Sequence, residues 1–235
     1  MFSTRRHDTT DRPRERRHSD PDAVAVIGLG RFGSALALEL IRNGAEVLGI
    51  DDSESTVQEL NGRLTTVARA DATREEALRQ LGVDEFDKVV VGIGTDIQAS
   101  ILVASRLLKF GRPEIWAKAI TEPHAEILDQ LGVHHVIRPE HDMGVRAAHL
   151  IRGRVLDFAQ IDEGFALVRC TVPEQVQQRP LDTLGLRTCY GVSIVAVRRP
   201  GESWAPTEPS TVLYEDDQVL VTGPTDKAEA FSNRI

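Results

Sequence analysis

Cysteine occurs only twice in 235 residues, as Cys170 and Cys189, too sparsely for a disulfide framework. One bridge between them remains open beside the commoner alternative, two reduced packing thiols, and the cytoplasm is the expected compartment. No apolar run approaches the roughly 18 residues of a membrane span, so a role at a membrane has to pass through a partner. The arginine-rich N-terminus is not followed by an apolar stretch, so no secretory signal is expected. A basic excess is missing as well: 28 Lys and Arg against 36 Asp and Glu leave a net charge of −8. That balance argues against a general nucleic-acid binder. Acid–base machinery is thin in the C-terminal part. No histidine follows His149, Lys227 is the one lysine there, and Tyr190 and Tyr214 lack Tyr-x-x-x-Lys spacing and read as packing residues. Neither a nucleophile elbow nor a Cys/His metal spacing is present. A dehydrogenase needs such a group in its second domain, so the enzymatic reading loses ground.

What is present is a glycine-rich turn set between a strand and a helix. Ala23-Val24-Ala25-Val26-Ile27 enters Gly28-Leu29-Gly30-Arg31-Phe32-Gly33, and Ser34-Ala35-Leu36-Ala37-Leu38 leaves it. Gly28 permits a tight turn off the strand, Gly30 lets backbone approach a phosphate, and Gly33 lets the helix lie close on the sheet. The free N–H groups and the dipole at the helix start then favour an anion. A second strand, Glu46-Val47-Leu48-Gly49-Ile50, ends in Asp51, placed to accept the ribose hydroxyls of a dinucleotide. Together these features predict nucleotide binding.

Residues 1–22 mix Arg and Asp with almost nothing apolar and read as a disordered tail. A weak tether to acidic lipid headgroups is the functional alternative, diluted by the interleaved acids. From Ala23 the chain alternates strand and helix. Helices are expected at about 31–42, 55–61, 74–81, 96–108 and 123–131, with a capping box from Thr73 to Glu76 opening the third. Strands are expected near 65–68, 88–94, 114–119 and 134–138. The repetition predicts a Rossmann-type, doubly wound parallel sheet in order 3-2-1-4-5-6 over residues 23–152, closed by a helix at about 142–152. After a hinge near Gly153 the pattern changes. Strands near 155–161, 165–172, 192–197 and 218–221, with short helices near 180–184 and 225–231, predict a small α+β domain over residues 153–235.

Three features bear on the chemistry. Arg31 places a guanidinium inside the glycine turn, where a free di- or triphosphate would gain a cation; a solvated arginine is the other reading. Glu140 follows Pro139 on the ligand-facing edge of such a sheet. It suits either a divalent cation on the phosphates or a carboxylate at a helix start. His134, His135 and His141 look like metal ligands, but adjacent strand residues point to opposite faces.

Four ordered stretches are similar to the RCK (regulator of potassium conductance) proteins of the KtrA and TrkA kind. They are Val26 to Gly33, Gly92-Ile93-Gly94-Thr95-Asp96-Ile97-Gln98-Ala99-Ser100, Ile115-Trp116-Ala117-Lys118-Ala119, and Arg138-Pro139-Glu140-His141-Asp142-Met143-Gly144. The resemblance runs from about Val24 to Phe231 and includes Leu184-Gly185-Leu186-Arg187 and Gly191 to Val197. It implies a cytosolic regulatory subunit, not an enzyme. Its dimers would assemble into an octameric homo-oligomeric ring on the inner face of a KtrB- or TrkH-type potassium-translocating membrane subunit, gated by ATP against ADP, with NAD or NADH able to occupy the same site. Carried over by position, Arg31 meets the terminal phosphates beside Gly28, Gly30, Phe32 and Gly33, while Asp51, Asp52 and Ser53 line the ribose. Asp71 and Ala72 flank adenine, and Ile93, Gly94 and Thr95 form the floor. Lys118, Ala119, Ile120 and His124 complete the pocket, and Glu140 binds Mg²⁺ or Ca²⁺ between facing nucleotides. The family often has Asn where Asp71 stands, and Ile120-Thr121-Glu122-Pro123 departs from its usual polar-aromatic stretch. Cyclic di-AMP at the C-terminal domain is implied too, with Arg187 as its phosphate partner or a plain surface arginine. The runner-up is an NAD-dependent oxidoreductase with a small substrate domain, for which Asp51 would select NAD over NADP.

Overall fold

A computed structural model describes residues 23–152 and 154–233; the tail at 1–22 and the hinge position Gly153 lie outside the described residues. Internal contacts divide the chain into two compact units between Pro139 and Glu140.

The first unit alternates strand and helix throughout. The strands are β1 (Ala23–Ile27), β2 (Glu46–Asp51), β3 (Thr66–Arg69), β4 (Lys88–Val91), β5 (Glu114–Lys118) and β6 (His135–Ile137). The helices are α1 (Arg31–Arg42), α2 (Glu54–Leu60), α3 (Glu75–Gln80), α4 (Ile97–Phe110) and α5 (Glu122–Leu131). The sheet order is β3-β2-β1-β4-β5-β6 with every neighbouring pair parallel, as the alternation predicts. Both faces of the sheet are covered, which is why its strands are apolar at successive positions. Ala23, Ala25 and Ile27 of β1 face one core with Val89, Leu107, Ile115 and Leu128. Val24 and Val26 face the other with Leu29, Ala37, Val47 and Leu60.

Local signals placed most helix ends well. α1 stops at Asn43, and Gly44 takes a φ of +90°, where a side chain would be strained. Two expectations need correction. Thr73 and Glu76 do not form a capping box: α3 begins at Glu75 behind Arg74, and the Thr73 hydroxyl donates to Asp71 instead, 2.6 Å away. The carboxylate two residues back is the nearer acceptor, so a local Asx turn replaces the cap. The fourth strand ends at Val91, because Gly92 leaves the ladder after donating its N–H to Ile27 at 2.7 Å.

All of α6 (Pro139–Arg152) after its first residue falls in the second unit, whereas the sequence pattern predicts a helix at about 142–152 that closes the first half. An antiparallel sheet follows in order β10-β9-β11-β8-β7. Its strands are β7 (Val155–Asp162), β8 (Phe165–Thr171), β9 (Ser193–Arg198), β10 (Ala205–Pro206) and β11 (Gln218–Pro224). One face of this sheet packs Ala166, Val168, Cys170, Val219 and Val221 against Ala228 and Phe231 of α8 (Thr225–Ser232). Burying Phe231 alone contributes roughly 2 kcal/mol. A short helix, α7 (Leu186–Tyr190), was not foreseen: Gly185 and Gly191, both left-handed, bound it tightly. Cys170 is buried and Cys189 exposed, both as free thiols. Tyr190 packs edge-on against Phe231 at 5.5 Å between ring centroids.

Candidate functional site

The carboxyl ends of β1, β2 and β4 open onto a cleft of about 350 Å³. Of the residues singled out from sequence, Gly28, Gly30, Asp51, Asp52, Ser53, Asp71, Ala72, Ile93, Gly94 and Thr95 line it. Such a crevice, where the strand order reverses beside β1, is where open α/β sheets bind ligands.

The glycine turn shapes one wall. Gly28 has a φ of +88°, and a Cβ there would fall 2.8 Å from the Ile93 nitrogen. Gly33 is more constrained still, since its Cβ would lie 1.9 Å from the Gly28 carbonyl oxygen. Gly30 faces open space and is the N-cap of α1. With no side chain to cap it and no acid in its first turn, α1 leaves its leading N–H groups available to a ligand. The starts of α2, α4 and α5 differ: Ser53, Asp96 and Thr121 cap them with side-chain oxygens. α3 has no side-chain cap either but opens with Glu75 and Glu76, so among these five helices of the first unit α1 suits an anion best. Arg31, Phe32 and Gly33 begin that helix, with Arg31 exposed.

Two carboxylates fix the opposite wall. Asp51 Oδ2 accepts the Leu29 N–H at 2.7 Å, and its Oδ1 accepts the Ser53 N–H at 2.9 Å. Asp71 Oδ1 accepts both the hydroxyl and the N–H of Thr73, and these bonds hold its carboxyl below the usual carboxylate range. Arg69 spans the rim, donating to the Asp52 carbonyl and pairing with Glu54 at 3.0 Å.

Lys118, Ala119, Ile120 and His124 do not line the cleft. Lys118 is buried, its ammonium 5.6 Å from the Phe32 ring centroid, and a Cβ on Gly94 would meet that nitrogen at 3.3 Å. Ile120 borders Gly94 as well, while Ala119 is buried and bonded to Ile137. His124 is only 1 % exposed in the first turn of α5. Its Nδ1 accepts the Ile120 N–H, so Nε2 carries the proton, buried without an acceptor among the described residues. Burial lowers its pKa. Glu140 belongs to the second unit, in the first turn of α6.

Sequence reasoning overlooked Thr56, Thr73, Asp96 and Ala99, which also border the cleft. Their signal was positional: each lies in, or just before, the first turn of the helix that follows β2, β3 or β4. The histidines near β6 are occupied separately. His134 Nδ1 accepts the Ile115 N–H, while His135 stacks on Trp116 at 3.9 Å and bonds Glu114. In the second unit Arg187 borders two grooves of about 380 and 280 Å³ and donates to the Ser193 hydroxyl at 3.1 Å.

Two domain descriptions match the chain in order, the TrkA-N domain over residues 24–139 and the TrkA-C domain over 168–235. The chain is similar to the Ktr system potassium uptake protein A of Vibrio alginolyticus, with 36 % identity covering 86 % of this chain and 93 % of that one. In structure it is similar to the GsuK channel bound to NAD, with a TM-score of 0.50 and 25 % identity. That likeness covers 89 % of this chain and 38 % of the channel chain. A structure of GsuK bound to ADP also has a TM-score of 0.50 and 25 % identity, covering 58 % of this chain and 35 % of that one. The chain thus spans well under half of either channel chain.

Proposed function

Because the chain belongs to the TrkA family of potassium uptake proteins, we propose that it is the nucleotide-sensing regulatory subunit of a potassium uptake system. The observation that carries this reading is the uncapped start of α1, beside Arg31, next to a cleft edged by Asp51, Asp52, Ser53 and Asp71. An anion seated there meets backbone donors and a helix dipole, and Asp51, Asp52 and Asp71 suit the neutral, hydroxyl- and amine-bearing part of an adenine nucleotide. ATP and ADP are the proposed pair of signals, with NAD or NADH as alternative occupants. The ligands in the two GsuK structures support this choice.

A divalent cation fits as an accessory to the nucleotide. No cluster of three or more His, Cys, Asp or Glu side chains suited to a metal ion exists among the described residues. Mg²⁺ or Ca²⁺ at Glu140 is a proposal on family resemblance, and a carboxylate suits either ion because both prefer oxygen. The proposed working form is a cytosolic ring of this chain, docked on a KtrB- or TrkH-type membrane subunit that carries the ion. Cyclic di-AMP beside Arg187 remains a proposal on family resemblance. The same family membership favours a regulator over an oxidoreductase.

Gating requires ATP and ADP to bind two ring shapes with different affinity, since a ligand that binds both equally shifts nothing. Titration of the purified full-length chain with each nucleotide, with and without Mg²⁺ or Ca²⁺, reads this directly when assembly size is followed in parallel. Distinct affinities or distinct assemblies are expected. Equal affinities with no change of assembly overturn the reading.

A further inference from the structure

The residue that ends β2 has a task that its position as a ribose acceptor does not reveal. Asp51 spends one carboxylate oxygen on the Leu29 N–H, inside the glycine turn, and the other on the Ser53 N–H, at the start of the next loop. Two backbone bonds flank this bridge. Gly28 donates to Ile50 at 2.8 Å, and Ala70 donates to the Asp51 carbonyl at 3.0 Å. Leu29 is held from its other end too, since its side chain is 2 % exposed and packs in the core below the sheet.

We infer that Asp51 is a positioning residue for the phosphates, which fixes the glycine turn against β2 before any nucleotide arrives; this rests on the nucleotide reading above. The bonds to Leu29 and Ser53 are charge-assisted, the stronger kind of protein hydrogen bond. Because they join the phosphate-facing turn to the ribose-facing loop, loosening them disorders the α1 amides that a phosphate would meet. A pure ribose ligand would behave otherwise: its loss would weaken only the part of binding that depends on the hydroxyls. Remaining lone pairs on the carboxylate leave a ribose contact available as well, without making it the residue's main contribution.

Asp51→Asn is the decisive change. The amide keeps the shape but replaces one acceptor oxygen with a donor, which then faces an N–H. Amide hydrogen exchange of the unliganded full chain tests the anchor without any ligand. Exchange at Leu29 and its neighbours should quicken about tenfold or more in the variant, the loss of one hydrogen bond to a charged group. Amides of β4 and of the second unit should keep their rates, which controls for the fold. Affinities are then measured for inorganic tripolyphosphate, ADP and 2′,3′-dideoxy-ADP. Tripolyphosphate and ADP should weaken by a similar factor, with the ADP-to-dideoxy ratio unchanged. Should Asn not fold, Asp51→Glu, which displaces the same charge by a methylene, is expected to give the same pattern. Unchanged exchange at Leu29, or a loss confined to the hydroxyl preference, overturns the inference. Failure of the unsubstituted chain to bind ADP counts against the nucleotide reading, while the exchange rates still decide the anchor.

Discussion

Gly33 sits so close to Gly28 that a single methyl group at 33 would come within 1.9 Å of the Gly28 carbonyl oxygen. Gly33→Ala therefore has to push α1 off the sheet, and about 3 kcal/mol or more of stability should be lost. Gly30→Ala meets nothing within 4 Å at a φ of −63°, so its stability should change by less than about 1 kcal/mol. It should still weaken phosphate binding, because the methyl group stands where the ligand approaches. Denaturant melts and nucleotide titrations of both variants separate the two effects. Equal stability losses would refute this division of labour.

Arg31 is exposed at the head of α1. Arg31→Ala should keep adenosine binding and reduce the preference for ATP over ADP by about tenfold, the worth of one charge-assisted contact. Isothermal titration with adenosine, ADP and ATP measures this. An unchanged ATP-to-ADP ratio removes Arg31 from the switch.

His124 should make stability fall in mild acid. Burial depresses its pKa in the folded chain, and the N-terminal turn of α5 also disfavours a cation there. The unfolded chain, with a histidine pKa near about 6.5, then binds a proton more readily than the folded one. The stabilising contribution is complete above that value and declines as pH drops below it. Melting temperatures between pH 8 and pH 5 should fall more steeply for the unsubstituted chain than for His124→Leu. Parallel curves would contradict the assignment.

The two thiols should react very differently. Burial pushes Cys170 up to about 12, whereas Cys189 is exposed. A maleimide at pH 7.5 should label one thiol per chain in buffer and two in denaturant, and Cys189→Ser should abolish the fast reaction. Rapid labelling of both thiols in the native protein would show that the second unit opens easily.

Periodicity made the first unit legible. The continuous apolar runs of β1 and β4 announced strands covered on both faces, and the short connections between them required parallel order. Local competition was harder to read. Thr73 had a good capping partner in Glu76, yet the closer Asp71 took its hydroxyl, a choice decided by distance in the folded turn. The five-residue helix α7 gave too short a pattern to register and owes its limits to the flanking glycines. At the site, spacing pointed to Gly28 and Asp51 and the family resemblance to Asp71, and all three line the cleft. It could not show where the oxygens of Asp51 are directed, since Leu29 lies 22 positions away. Nor could it find Thr56 or Ala99, which border the cleft only because their helices start there.

Gly92 would place a Cβ 2.8 Å from the Gly28 oxygen, and Gly28 would place one equally close to the Ile93 nitrogen. The two glycine turns thus pass each other closely, with the Ile93 side chain 2.9 Å from where a Gly28 Cβ would stand. Displacing one turn alone would open a void or force an overlap, both costly in a close-packed interior. The turn after β1 and the turn after β4 are consequently fixed against one another, and with them the starting points of the segments that lead into α1 and α4.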